Sequence, residues 1–223
     1  MLMQRYGPSP HPGRQDQMNT KGSMKNLNNT AYLLAFFTIV WAASMLVWFI
    51  LDDVLPVGAT IVLSVIFLAI AGYIYISAVL GYRSLKPIPE DDGSIQDKLK
   101  SKRWSVVFAL QAVAISLSGA LLGSFKLHVF IAPVMLLIVG LHYIPISMLY
   151  HTTIQSFVAI PTILVALLGL LAIFTDTGSR YAAGVCSLVG AIGCVTLGIW
   201  ATTTVRAFVR QASSEVKADK PQT

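Results

Sequence analysis

The sequence predicts an all-α membrane protein, a bundle of six transmembrane helices, on the strength of three observations. First, 55% of the 223 residues are hydrophobic and 12% are charged, whereas ordinary soluble domains carry about 25% charged residues. Second, six apolar runs reach the length of roughly 20 residues that crosses a bilayer. Third, the basic residues cluster beside alternate ends of these runs, as the positive-inside rule requires.

The six predicted spans are joined by short segments, with one longer loop at 83–103. We therefore expect three antiparallel hairpins, and a helix that starts near Ser94 and continues into span three. The flanking segments 1–30 and 209–223 are polar, and we expect them to be disordered on either side of a transmembrane domain, 31–208. The predicted spans cover approximately 32–51, 57–82, 104–123, 126–150, 154–174 and 180–207.

The distribution of basic residues predicts the orientation. Only Lys126 and Arg180 of the 16 Lys and Arg residues fall outside the N-terminal segment, the loop 83–103 and the C-terminal end. The positive-inside rule then places both termini in the cytoplasm. Because the net charge of +6 is confined to loops and tails, we expect the lipid bilayer as partner and no nucleic acid.

Span six carries a regular series of small residues. Cys186, Gly190, Cys194, Gly198 and Thr202 recur every four residues, which predicts a small-residue ridge where another backbone can approach closely. The ridge could also bind a second copy of the chain or a membrane partner protein. The alternative is a thiol pair that binds a metal, but the two thiols lie roughly 12 Å apart along the helix. We therefore favour helix packing and predict no metal site.

Span four holds the most unusual polar residue. His142 lies roughly 12 Å inside Tyr150, and ionisable residues at such depth usually face the bundle interior. Pro145 cannot donate to the carbonyl of Leu141, which predicts a bent, polar break in the span. Gln111 lies at nearly the same depth on span three, so a hydrogen bond between Gln111 and His142 is possible.

A candidate buried polar site follows, made of His142, Gln111, Tyr143 and Pro145. We expect His142 to point into the bundle and to bond with Gln111 or with a carbonyl freed by a proline, because lipid offers no partner. Two interpretations stay open: His142 locks the hairpin of spans three and four, or it belongs to a functional site.

The segment 140–145, Gly-Leu-His-Tyr-Ile-Pro, resembles the G-x-H-[FY]-x-P element in the fourth span of small, uncharacterised six-helix bacterial membrane proteins. Tyr143 occupies the aromatic position of that element. The resemblance implies the six-helix fold and a bacterial cytoplasmic membrane, and it implies no activity.

The sequence favours a non-enzymatic membrane protein, accessory or sensory, with no catalytic residues and no cofactor. No predicted span contains an Asp or Glu, so a carboxylate proton relay or an intramembrane aspartyl protease is not expected. The alternative is a small transporter or channel with a path near Gln111, His142 and Pro161. An intramembrane enzyme that uses His142 is the weakest hypothesis.

Overall fold

The computed structural model describes residues 21–86, 95–150, 152–175 and 178–218, and it confirms the predicted six-helix bundle. All six helices are long and apolar enough to cross a membrane, which gives the chain the architecture of a multi-pass membrane protein. A single 3-10 turn, His128–Phe130, precedes the fourth helix. The helices are α1 (Lys21–Leu51), α2 (Val57–Leu85), α3 (Ile95–Ser124), α4 (Ile131–Tyr150), α5 (Thr153–Ala172) and α6 (Gly178–Ala218).

Two turns end their helices with a residue in the left-handed conformation. Asp53 has a φ of 53° and Lys126 a φ of 59°. After α3, the amide of Leu127 donates to the carbonyl of Leu122 at 2.8 Å, which is the closure of a Schellman motif. The turns lie where the sequence predicted them, and α3 begins at Ile95, next to the expected start.

Two helices are longer than the sequence predicted. Residues 21–30, expected to be disordered, form the first turns of α1, and Met24 and Leu27 are buried there. At the other terminus α6 continues to Ala218. Its residues Phe208 and Val209 pack against the hydrophobic cluster that contains Met24 and Leu27. The polar turns remain helical because their apolar residues find partners on α2 and α6. The expectations for 1–20 and 219–223 lie outside the described residues.

The bundle is arranged around α6, which contacts α1, α2, α4 and α5. In the most apolar 18-residue stretch of each helix, 61% of the residues are buried in α6, against 6% in α3. The α3 helix packs mainly on α4 and touches α1 only slightly. Five helices therefore form the body of the bundle, and α3 is a peripheral element attached to it.

Helices α1, α3 and α5 begin, and α2, α4 and α6 end, at the same side of the bundle, which we call the basic end. Lys102 on α3 and Met148 on α4 line one groove there, and Ser147 on α4 contacts Ser156 on α5. At the same end, the Asn28 side chain of α1 donates to the carbonyl of Ala78 on α2 at 3.1 Å.

The small-residue ridge of α6 lies inside the bundle. A Cβ atom on Gly190 would lie 2.5 Å from the indole of Trp41 on α1, and one on Gly198 would lie 2.7 Å from Ile74 on α2. Close packing at the ridge is as predicted. Its neighbours are large side chains rather than a second backbone, because the glycine notches match the shapes of Trp41 and Ile74.

The other ridge residues are also covered by the chain's own helices. Cys186 is fully buried, with its sulfur against Gly169 on α5, and the Thr202 hydroxyl donates to the carbonyl of Gly198 at 3.0 Å. In the described structure the ridge therefore packs against the chain's own helices. The two thiols lie on separate contacts, and both cysteines are free.

Candidate functional site

A narrow cavity of about 30 Å³ lies where α1, α3, α4, α5 and α6 meet. That volume has room for about two water molecules, since a cavity needs roughly 10–15 Å³ to hold one. Its walls are mostly aromatic and aliphatic, with Trp41 from α1 and Trp200 from α6. Its lining also contains polar side chains: the amides of Gln111 and Gln155, the imidazole of His142, and the hydroxyls of Thr30 and Tyr143.

His142 points into the bundle and is 7% exposed, as expected from the sequence. The helix α4 sits close to α5 at this depth because Gly140 leaves no room for a side chain: a Cβ there would lie 2.7 Å from Ile163. The His142 ring stacks edge-on against Phe108 of α3, with centroids 4.6 Å apart. The backbone carbonyl of Val107 on α3 lies beside the ring, where it can accept a hydrogen bond from a ring nitrogen.

That partner differs from both partners expected from the sequence. No hydrogen bond joins His142 to Gln111 among the described residues. Moreover, no proline frees the carbonyl of Val107, since it stands one turn before Gln111 in an uninterrupted helix. The two side chains share the depth that the sequence predicted, but α3 is rotated so that its backbone meets the ring. The predicted break in span four is also not seen, because α4 continues as a helix through Pro145.

Gln111 is 7% exposed and lines the cavity from α3, the least buried helix of the bundle. Its amide is therefore one of few polar groups that α3 turns inward. With Phe108 it forms the inner face of α3 against the cavity.

Tyr143 is also buried, and its hydroxyl lies 4.0 Å from the sulfur of Cys194 on α6. The structure thus joins two features that the sequence presented separately, the polar element of α4 and the ridge of α6. Pro145 lies elsewhere, because it is exposed and lines a groove on the outer surface between α3 and α4. Pro161 is exposed as well and is not among the described residues that line the cavity.

Gln155 is the site residue that the sequence analysis missed. It is 5% exposed and lines the cavity, and among the described residues its side-chain oxygen Oε1 has no hydrogen-bond partner. The tight connection from α4 to α5 positions it: the Ser147 hydroxyl donates to the carbonyl of Thr152 at 2.8 Å, one turn before Gln155. The helical spacing of Gln155, Ala159 and Thr162 could have placed it on the buried face.

The chemistry available at the cavity is hydrogen bonding. Gln111 and Gln155 each carry an amide that donates and accepts, and the second ring nitrogen of His142 adds a further polar atom. Among the described residues, no three His, Cys, Asp or Glu side chains are grouped as metal ligands. The site is suited to bind a small molecule through a few directed hydrogen bonds within apolar walls.

Comparisons with protein-family models, with curated proteins and with solved structures found no match to this chain. The functional argument therefore depends on the cavity, on the helices that form it and on the sequence.

Proposed function

We propose that the chain is a non-enzymatic sensory protein of a bacterial cytoplasmic membrane, in which the cavity beside His142 binds a small ligand. The observation that carries this proposal is the Gln155 oxygen, which is buried at the cavity and has no hydrogen-bond partner in the described parts of the chain. A buried acceptor without a partner costs about 1–3 kcal/mol. A ligand or water that donates to Gln155 relieves that cost.

The size of the cavity limits the ligand. A volume of about 30 Å³ accepts a molecule of a few heavy atoms, and a larger one would have to displace a wall. The wall that can move most easily is α3, because only 6% of its span is buried and weakly packed elements open first. Its inner residues, Phe108 and Gln111, face the cavity directly.

The response to a ligand would travel through the contact between α3 and α4. His142 lines the cavity and also holds α3 through the carbonyl of Val107 and the ring of Phe108. A ligand that bonds to the His142 ring competes with these contacts. A bound ligand therefore changes the position of α3, and a partner protein in the membrane can detect that change.

The basic residues support an orientation with both termini in the cytoplasm. Reporter fusions check it: a fusion at Asp53 should be active outside the cytoplasm, and a fusion after Arg210 inside. An external C-terminus would contradict the proposed orientation.

A gene replacement in the host cell tests the sensory role. Gln155→Leu should leave the protein abundant in the membrane, since it removes an unsatisfied buried acceptor, but it should give the transcript profile of a deletion strain. The control is Gln211→Leu, the same change at an exposed position of α6, which should give the wild-type profile. A wild-type profile for Gln155→Leu would refute the proposed site.

The second candidate function is a small transporter, favoured by the position of Gln111, His142 and Gln155 around one cavity inside an apolar bundle. Proteoliposomes separate the two functions. A transporter should carry ions or glycerol faster than protein-free vesicles, and His142→Leu should slow that flux. The sensory function predicts no flux above the protein-free level for either protein.

A further inference from the structure

A groove of about 540 Å³ lies on the outer surface between α3 and α4, at the basic end. Its volume is in the range of roughly 300–1,000 Å³ that ligand sites occupy. It is separate from the cavity and faces the surroundings of the bundle, because Val106 and Met148 on its two walls are 50% and 70% exposed. The described residues that line the groove all belong to α3 and α4.

The groove is polar at one end and apolar along the rest. Lys102 and Arg103 form the end nearest the start of the span, and both are exposed. Val106 lies about one turn further along, roughly 6 Å deeper along the helix axis. Trp104 stands beside the two cations, and tryptophan is enriched at the level of lipid headgroups. The cations therefore lie at headgroup depth and the apolar walls at the depth of the acyl chains.

We infer that this groove binds one anionic phospholipid. Lys102 and Arg103 hold the phosphate, and an acyl chain lies along Val106, Pro145 and Met148. The charge pattern favours this occupant over a neutral lipid, since the described lining residues include two cations and no carboxylate. Basic pockets between transmembrane helices on the cytoplasmic side commonly bind anionic headgroups. The inference does not depend on the proposed sensory function.

The acyl chain would lie directly on the weakest seam of the bundle. Val107 lines the groove, and its backbone carbonyl lies beside the His142 ring. A chain packed over Val107 and Pro145 contacts α3 and α4 at once. A bound lipid therefore supplies α3 with packing that the rest of the bundle does not provide.

Native mass spectrometry of the full chain, released from detergent, can measure this binding with dioleoyl phosphatidylglycerol and with dioleoyl phosphatidylcholine as probes. The wild type should prefer phosphatidylglycerol. Lys102→Gln with Arg103→Gln should lower its affinity for that lipid by about 30-fold, since each cation near a membrane surface contributes roughly a fivefold preference for anionic lipid. Affinity for phosphatidylcholine should stay the same.

The matched control is Arg83→Gln with Lys86→Gln, which removes two exposed cations, one in the last turn of α2 and one directly after it, at the same end of the bundle. Its effect should be less than about threefold, because α2 does not line the groove and the remaining attraction is the general one to the surface. Equal losses in the two double variants would show that general surface attraction explains the binding, and would overturn the proposal.

A second variant tests the apolar part without changing charge. Val106→Trp fills the groove from an exposed position, so the helix should fold normally while phosphatidylglycerol binding falls by about tenfold. Wild-type affinity in Val106→Trp would overturn the proposal. So would full competition by glycerol 1-phosphate, which has no acyl chain. Loss of a dimer in Val106→Trp, with lipid affinity unchanged, would instead identify the groove as a contact for a second copy.

Discussion

The helices α3 and α6 are equally apolar but occupy opposite positions in the bundle. The mean hydropathy of the most apolar 18-residue stretch is 2.0 in both helices. Yet 6% of the residues in that stretch are buried in α3, against 61% in α6. Lipid tails are as apolar as leucine side chains, so apolarity inserts a helix into a membrane without deciding which helix becomes central. Shape decides that, and the glycines show how.

Glycines on the two helices have different neighbours. On α6, Gly184, Gly190 and Gly198 receive large side chains from α1 and α2. On α3, Gly119 meets only the terminal methyl of Met135, and Gly123 has nothing within 4 Å. A series of notches filled by matching side chains makes α6 the centre, whereas α3 has small residues without matching partners.

The largest expected effect is at the notch that the indole of Trp41 fills. Gly190→Leu should destabilise the bundle by about 3 kcal/mol or more, because the new side chain would overlap the indole of Trp41 and the packed site cannot expand. The control, Gly123→Leu on α3, should cost less than about 0.5 kcal/mol, as expected for a surface change. Unfolding in mixed micelles measures both, and equal stabilities would contradict the role assigned to the notches.

A pair of leucine truncations sharpens the same comparison. Leu197 on α6 is 3% exposed, and Leu117 on α3 is 57% exposed. Leu197→Ala should leave a cavity and cost about 2 kcal/mol or more, while Leu117→Ala should be nearly silent because lipid fills the space. The same unfolding assay reports both changes. A costly Leu117→Ala would mean that α3 packs against something beyond α4.

A smaller effect is expected at the seam that attaches α3. His142→Leu removes the donor to the carbonyl of Val107 and should weaken the seam by about 1 kcal/mol. His142→Gln keeps a donor and should be tolerated better. The distribution of distances between spin labels at the exposed positions 117 and 164 measures the outcome. It should broaden in His142→Leu and stay narrow in His142→Gln. A narrow distribution in that variant would show that the His142 contact does not hold α3.

The smallest effects are expected for the thiols. Cys186→Ala and Cys194→Ala each remove one buried sulfur and should cost about 1 kcal/mol or less, comparable with the loss of a single methylene group. Metal analysis of the purified protein should give the same content for wild type and variants. A stable variant that loses a bound metal or the cellular response would contradict a packing role for that cysteine.

The sequence by itself determined the features that depend on local physics. Lipid cannot bond to the backbone, so each apolar run had to be a helix, and the six runs and their turns could be identified directly. The same reasoning placed His142 inside the bundle. It failed at residues 21–30, where composition suggested disorder but Met24 and Leu27 find apolar partners.

Only the tertiary structure decided which surfaces meet. That α6 is central, that Trp41 fills the notch at Gly190, and that Gln155 joins His142 at one cavity all depend on helix rotations. A rotation by a fraction of a turn exchanges the carbonyl of Val107 for the amide of Gln111 as the neighbour of His142. Such rotations are fixed by the fit between side chains distant in sequence, because in lipid no hydrophobic force selects one apolar face over another.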